Sequence, residues 1–92
     1  MSGASGPYAI KYDPKALKEL AKLDKGVARR IVRSLDALAT NPRPSGTRVL
    51  AGFPGLLRLR VGTYRVIYTV KDDELLVLAL RIAHRSRAYG NL

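Results

Sequence analysis

The stretch LRLRVGTYRVIYTV, residues 57–70, alternates apolar and polar side chains on both sides of a Gly-Thr pair. Such alternation is typical of a β-strand with one buried face, and Gly at the first central position of a two-residue loop suits a type II′ hairpin. The segment therefore predicts two antiparallel strands joined at Gly62-Thr63. In that register Arg60 lies opposite Arg65, with Arg58 further along the same face, so three guanidinium groups converge.

The residues before the hairpin predict a strand followed by two helices. Residues 7–12 alternate as a strand does. The Asp13-Pro14 pair is a helix start signal, because the carboxylate accepts unpaired amide hydrogens and proline has none to lose. We expect a first helix to about Leu23 and a second one that Asp24 caps and that stops before Asn41-Pro42. The apolar positions predicted to face the core are Leu17, Leu20 and Ala21, then Val27, Ile31, Leu35 and Leu38, and Lys15, Lys18, Glu19 and Lys22 take the polar side of the first helix.

The remaining segments complete an α+β pattern. Residues 41–55 are rich in proline and glycine and predict an irregular connection with one short pairing at residues 48–50. Residues 75–83 are almost entirely apolar, as in a strand at the middle of a sheet. We predict the order β-α-α-β-β-β: an N-terminal strand, an antiparallel two-helix hairpin and a three-stranded antiparallel meander, with the helices packed on one sheet face. We expect residues 7–92 to form one domain, after a flexible lead over residues 1–6.

Composition restricts the classes of function. The chain has 92 residues, 17 of them Lys or Arg against 7 Asp or Glu, for a formal net charge of +10. Such a charge predicts an anionic partner: nucleic acid, anionic lipid or an acidic protein. Without cysteine and with only His84, we expect no metal centre and no cofactor. No apolar run reaches the roughly 20 residues of a membrane span, and we expect a cytoplasmic protein.

The hairpin arginines and the cluster AHRSRAY, residues 83–89, are the candidate functional groups. Arginine offers phosphate a planar fork of donors but does not shuttle protons, whereas His84 and Tyr89 can. Alternating arginines also serve simply to keep a sheet face soluble, and a lone histidine near a terminus is often an ordinary surface residue. Whether Arg81 or His84 shares the face of Arg65 depends on the number of residues in the turn around residues 72–74.

The element order, together with RLRVGTYRVIY at residues 58–68 and AHRSRAY, resembles the RelE branch of the RelE/ParE toxins. The resemblance implies the toxin of a type II toxin–antitoxin system. It would be a metal-independent endoribonuclease that cleaves mRNA, often on the ribosome, by attack of the ribose 2′-hydroxyl on the adjacent phosphate. The implied partners are a cognate antitoxin protein that inhibits it, the mRNA and the ribosomal A site, and operator DNA only through the antitoxin.

The resemblance also implies roles for individual residues. Arg65 and Arg85 would stabilise the phosphorane, and Arg58 would orient the phosphate or help to activate the 2′-hydroxyl. Tyr89 would stack on a base or assist proton transfer. His84 would protonate the leaving 5′ oxygen. The residues expected to bind RNA phosphates are Arg48, Arg58, Arg60, Arg81 and Arg87.

One departure and two alternatives stay open. Well-known relatives have lysine at the position of Arg58 and at that of Leu56, so the identity of the general base is undecided. A ParE-like toxin would share the fold but inhibit DNA gyrase by binding, without a nuclease site; the Tyr64-Arg65 and His84-Arg85 pairs argue against it. A non-catalytic RNA-binding module would need stacking aromatics beside the basic face, yet Tyr64 and Tyr68 are expected to point towards the core.

Overall fold

A computed structural model describes residues 6–86 as a mixed sheet with two helices. The helices are α1 (Pro14–Ala21) and α2 (Lys25–Ala37). The strands are β1 (Ala9–Tyr12), β2 (Arg48–Val49), β3 (Leu57–Val61), β4 (Tyr64–Lys71) and β5 (Leu76–His84). Within this described part, neither helix is long and apolar enough to cross a membrane.

The α+β class is confirmed, but the sheet extends beyond the predicted three-stranded meander. The strand order is β1-β5-β4-β3-β2. The first strand runs parallel to the last one, with Tyr12 beside Ala79, and the short β2 pairs with β3 at the other edge. Parallel neighbours are joined by long crossovers, so adjacency along the chain does not reveal this pairing.

The central hairpin has the predicted register. Val61 pairs with Tyr64 and Arg60 pairs with Arg65. Gly62 has a φ of 61°, as the first central residue of a type II′ turn requires. A Cβ atom on Gly62 would lie 3.2 Å from a guanidinium nitrogen of Arg30 on α2. The positive φ therefore favours glycine at this turn, and a Cβ atom would also require the flexible Arg30 guanidinium to shift by a few tenths of an ångström.

We expect Gly62→Ala to lower the free energy of unfolding by about 1 kcal/mol, because an L-residue with this positive φ is strained. Urea unfolding followed by circular dichroism measures the change. The control is Gly26→Ala in α2, where φ lies outside the positive region and alanine is a better helix former; its Cβ atom would lie 3.3 Å from Asp24 Oδ2, so a smaller loss than at Gly62 is expected. Equal stability of Gly62→Ala and the unmodified chain would contradict the turn geometry.

The core lies between the helices and one face of the sheet. Ile31, Leu35 and Leu38 are almost fully buried, as predicted, and they belong to one cluster with the sheet side chains Val66 and Tyr68. Full burial of a side chain of this size contributes about 1.5–3 kcal/mol. This cluster is the main source of stability for the fold.

The prediction that Leu17 and Ala21 face the core is wrong. Leu17 is 50% exposed and Ala21 is exposed, whereas Ala16 is fully buried and Leu20 packs against the core. Residues 16, 19 and 20 share one side of a helix by their spacing, and this side lies against β5. The helix is therefore rotated so that Glu19 is directed towards the sheet.

A cluster centred on Asp72 ties three distant segments together. The Tyr8 hydroxyl donates to Asp72 Oδ1 at 2.7 Å, and Arg43 donates to both carboxylate oxygens at 3.2 and 2.8 Å. Nearby, the hydroxyl of buried Tyr68 donates to the Pro42 carbonyl at 2.7 Å. The segment before β1, the loop after α2 and the turn after β4 are joined in this way.

These contacts make part of the stability dependent on acid pH. Hydrogen bonds from Arg43 and then Tyr8 lower the pKa of Asp72 from 3.8 to about 2. A carboxyl group with a lowered pKa stabilises the fold above about pH 4, and this contribution is lost as the pH falls towards 2. We expect Asp72→Asn to flatten the fall of Tm between pH 4 and pH 2, whereas Asp73→Asn, in the same turn, keeps it. Identical pH profiles for both variants would contradict this role of Asp72.

Candidate active site

The two faces of the sheet differ in chemistry. Leu57, Leu59 and Val61 of β3 point towards the helices and pack on the core. Because side chains alternate along a strand and paired residues share a face, the neighbouring residues point to the opposite side. We call that side the arginine face. Its arginines are Arg48, Arg58, Arg60, Arg65 and Arg81, which come from four neighbouring strands.

The register sets neighbours on the arginine face. Arg60 lies beside Arg65, Arg48 lies beside Arg58, and Ile67 lies between Arg58 and Arg81. Ile67 is fully buried although it is on the side opposite the helices. The arrangement is an apolar centre bordered by guanidinium groups.

A groove of about 290 Å³ opens at one end of this face. It is lined by Ser45, Gly46, Arg48, Arg58, Leu59 and Arg60. The lining supplies three guanidinium groups and a hydroxyl. Arginine binds phosphate through two parallel N–H donors, so the groove has the size and donor set for a phosphodiester. The register thus places Arg58, Arg60 and Arg65 on one face, as the sequence predicted, and adds Arg48 beside Arg58.

Arg81 lies in a different electrostatic environment. Its guanidinium forms a salt bridge of 2.9 Å with Glu19 of α1, and both side chains are about a quarter exposed (28% and 24%). Glu19 also accepts the backbone N–H of Ile82 at 2.7 Å. Glu19 was expected on the solvent side of α1 and was missed as a partner. A phosphate would have to compete with this carboxylate for Arg81.

The structure settles which residues share the face of Arg65. Arg65 pairs with Ala83 and Ile67 with Arg81, whereas His84 pairs with Tyr64 on the other side. The rings of Tyr64 and His84 are in edge contact, with centroids 5.4 Å apart. The side chains of His84 and Arg65, both predicted to be catalytic, therefore lie on opposite faces of the sheet.

The turn after β5 is held to the tip of the hairpin. The Arg85 amide donates to the Thr63 carbonyl at 2.7 Å. His84 Nδ1 lies 2.9 Å from Ser86 Oγ and accepts the Ser86 amide at 3.3 Å. In the neutral ring Nδ1 accepts from the Ser86 amide and Nε2 carries the proton, whereas in the doubly protonated ring Nδ1 donates to Ser86 Oγ. Two further predicted site residues, Arg87 and Tyr89, lie outside the described residues.

The chemistry available on the arginine face is electrostatic. Guanidinium groups stay charged at all ordinary pH values, so they can stabilise a phosphate that gains negative charge but cannot exchange protons with it. Like charges across a strand pair repel by roughly 0.2–1 kcal/mol, which a bound anion relieves. The face is therefore suited to binding and stabilising an anionic reacting group.

Comparison with known proteins agrees with this geometry. The family described as ParE toxin of type II toxin-antitoxin system, parDE, matches residues 10–89. The mRNA interferase toxin RelE of Escherichia coli is 30% identical over 83 residues, which cover 88% of this chain and 86% of that protein.

Two solved structures share the fold closely. The RelE-RelB complex of Pyrococcus horikoshii is matched at a TM-score of 0.76 and 32% identity, covering 89% of this chain and 99% of that one. The toxin-antitoxin complex RelBE2 of Mycobacterium tuberculosis is matched at a TM-score of 0.78 and 28% identity, covering 89% and 95%. The family match spans most of the sequence and these relatives are RelE proteins, so the chain belongs to the ParE toxin family of type II toxin–antitoxin systems and is a toxin of the RelE type.

Proposed function

We propose that this protein is an endoribonuclease that cleaves mRNA on the ribosome and thereby inhibits translation. The observation that carries the proposal is the cross-strand pair of Arg60 and Arg65 beside the groove that Arg48 and Arg58 line. The named relatives are RelE proteins, one of them an mRNA interferase, which favours the nuclease over the gyrase-binding alternative.

The proposed reaction is a transfer within the RNA strand. The 2′ oxygen forms a bond to the adjacent phosphorus, the bond from phosphorus to the 5′ oxygen breaks, and the products are a 2′,3′-cyclic phosphate and a free 5′-hydroxyl. One proton leaves the 2′-hydroxyl and one reaches the 5′ oxygen. The phosphorane carries more negative charge than the substrate, and fixed cations that stabilise such charge usually supply the largest part of catalysis.

The arginines take the part that a metal ion plays in other nucleases. Arg65 and Arg85 stabilise the phosphorane, while Arg58 and Arg60 orient the phosphate in the groove. Arg85 follows the strand end that is bound to the hairpin tip through Thr63, which keeps it near the Arg60–Arg65 pair. In this scheme Arg48 and Arg87 bind neighbouring phosphates, and Arg81 contributes only where RNA displaces Glu19.

Proton transfer is assigned to the groups at the end of the chain. His84 is the proposed acid for the 5′ oxygen; it acts as the imidazolium, whose Nδ1–H donates to Ser86 Oγ and whose Nε2–H is the proton given up. Tyr89 is the proposed stacking or proton-transferring residue. The general base for the 2′-hydroxyl is left unassigned, because Arg58 and Leu56 stand where relatives have lysine.

We further propose that a cognate antitoxin holds the enzyme inactive. The similar structures from Pyrococcus horikoshii and Mycobacterium tuberculosis are toxin–antitoxin complexes. A formal net charge of +10 favours an acidic partner that covers the arginine face. Binding to operator DNA would occur through the antitoxin.

The test is to map the 5′ ends of a message translated in a cell-free reaction with the unmodified chain or with the Arg65→Ala, Arg85→Ala double variant. We expect new ends inside codons only with the unmodified chain. The nuclease proposal would be overturned if the message stays intact with a folded chain that, in a separate assay, still arrests the growth of cells expressing it.

A further inference from the structure

A second concavity lies on the arginine face, apart from the phosphate groove. It measures about 280 Å³ and is lined by Asp13, Lys15, Phe53, Leu56, Leu80 and Arg81. We call it the Phe53 cleft. Its walls are apolar and include one aromatic ring, and its rim carries one carboxylate and two cations. None of the roles proposed above uses Phe53, Leu56 or Leu80.

The cleft exists because two irregular segments meet. The loop before β3 crosses the arginine face, since the Thr69 hydroxyl donates to the Gly55 carbonyl at 2.9 Å. A turn closed by the Leu56 amide and the Phe53 carbonyl at 3.1 Å presents both side chains to β5. On β5, the register shift opposite Ile67 and Tyr68 leaves Leu80 as an extra residue, and Leu80 and Arg81 then line the cleft together.

The cleft is continuous with the arginine face. Arg81 lines the cleft and lies in one cross-strand row with Ile67 and Arg58, and Arg58 lines the phosphate groove. The two concavities are thus two strands apart, about 10 Å at the usual strand spacing. An RNA strand whose phosphate lies in the groove has neighbouring bases within reach of the cleft.

We propose that the Phe53 cleft is a subsite for one nucleobase of the RNA held on the arginine face. This inference rests on the proposed ribonuclease function and adds a source of sequence preference to it. A base has a flat apolar face, which suits the Phe53 ring and the Leu56 and Leu80 side chains. It also has a polar edge, which suits the Lys15 ammonium and the second carboxylate oxygen of Asp13, whose Oδ1 accepts the Lys15 amide.

The physical effect of such a subsite is measurable. Stacking of a base on an aromatic side chain strengthens binding about 5- to 150-fold, and it tolerates different bases because each has a π-face. The polar rim adds discrimination among bases through their edges. The cut site would therefore be selected by the base in the cleft as well as by the position of the ribosome.

The experiment is a titration of short fluorescent RNAs made resistant to cleavage by a 2′-deoxy sugar at the mapped cut. Each RNA carries an abasic residue at one position, and each is bound to the unmodified chain, Phe53→Leu or Phe53→Tyr. We expect one abasic position to weaken binding to the unmodified chain and to Phe53→Tyr by 5-fold or more. Phe53→Leu should bind this abasic RNA and the complete RNA with equal, weakened affinity.

The outcomes separate the subsite from the proposed function. If each abasic residue causes the same fold loss of affinity for Phe53→Leu as for the unmodified chain, the subsite is overturned. The nuclease proposal still stands in that case, provided that cutting depends on Arg65. A change in affinity of Phe53→Leu for an antitoxin peptide, with RNA binding unaltered, would also overturn the subsite and make the cleft a protein-docking site. Failure of the unmodified chain to cut any message overturns the proposed function instead.

Discussion

Arg65→Ala lowers the rate of message cleavage about 100- to 1,000-fold, if the arginine face stabilises the phosphorane. This is the usual cost of removing one preorganised group from a developing negative charge. Arg65 lies on β4 between Arg60 and Ala83 in the register, and urea unfolding of the variant checks that its fold is retained. The rate is measured from the 5′ ends that accumulate in a translation reaction.

The matched control is Arg33→Ala on the exposed side of α2, which removes the same charge at a distance from the arginine face. We expect this variant to cleave at nearly the rate of the unmodified chain. Arg65→Lys keeps the charge but loses the planar fork, so its rate should fall between those of alanine and arginine. Equal rates for Arg65→Ala and Arg33→Ala would show that only net charge matters.

Glu19→Ala lowers the free energy of unfolding by about 1–2 kcal/mol, because Arg81 loses its carboxylate and the Ile82 amide loses its acceptor. The figure is at the low end for charged hydrogen bonds, since both side chains are partly exposed and water can replace part of the interaction. Urea unfolding at neutral pH gives the value. The control is Glu74→Ala in the exposed turn after β4.

The same substitution also tests the environment of Arg81. With Glu19 removed, Arg81 no longer has this competing carboxylate, so short RNAs should bind more tightly than they do to the unmodified chain. Glu74→Ala removes the same charge without this effect. If Glu19→Ala and Glu74→Ala change the free energy of unfolding equally, the contact of Glu19 with Arg81 and Ile82 does not stabilise the fold.

The hairpin could be predicted from sequence because its signals are local. Strict alternation fixes which side chains share a face, and Gly62 fixes the turn, so the pairing of Arg60 with Arg65 follows directly. The caps at Asp13 and Asp24 are also local, and each side chain accepts an amide of the following helix. Local sequence was therefore sufficient to predict the hairpin register and the starts of both helices.

The partners of β5 could not be predicted, because they depend on two irregularities. Lys71 pairs with Leu76, so the turn between β4 and β5 has an even number of residues. The extra residue Leu80 then reverses the alternation, which places Ala83 rather than Ile82 beside Arg65. No residue type in an apolar strand marks such a bulge in advance.

The rotation of α1 and the path of the loop before β3 also could not be predicted from the sequence. Leu17 fits an apolar stripe, but the contact of Glu19 with the Ile82 amide favours a rotation that buries Ala16 instead. Phe53 lies in a segment whose proline and glycine residues predict only an irregular connection. Its contribution to the cleft becomes visible from the hydrogen bond between Thr69 and Gly55.

The proposed chemistry is tested most directly by a message with a single 2′-deoxy sugar on the 5′ side of one mapped cut. Transfer to the 2′ oxygen requires that hydroxyl, so this cut should disappear while cuts elsewhere in the same message remain. Undiminished cleavage at the 2′-deoxy position would contradict transfer within the RNA strand, because the attacking oxygen would then have to come from another molecule.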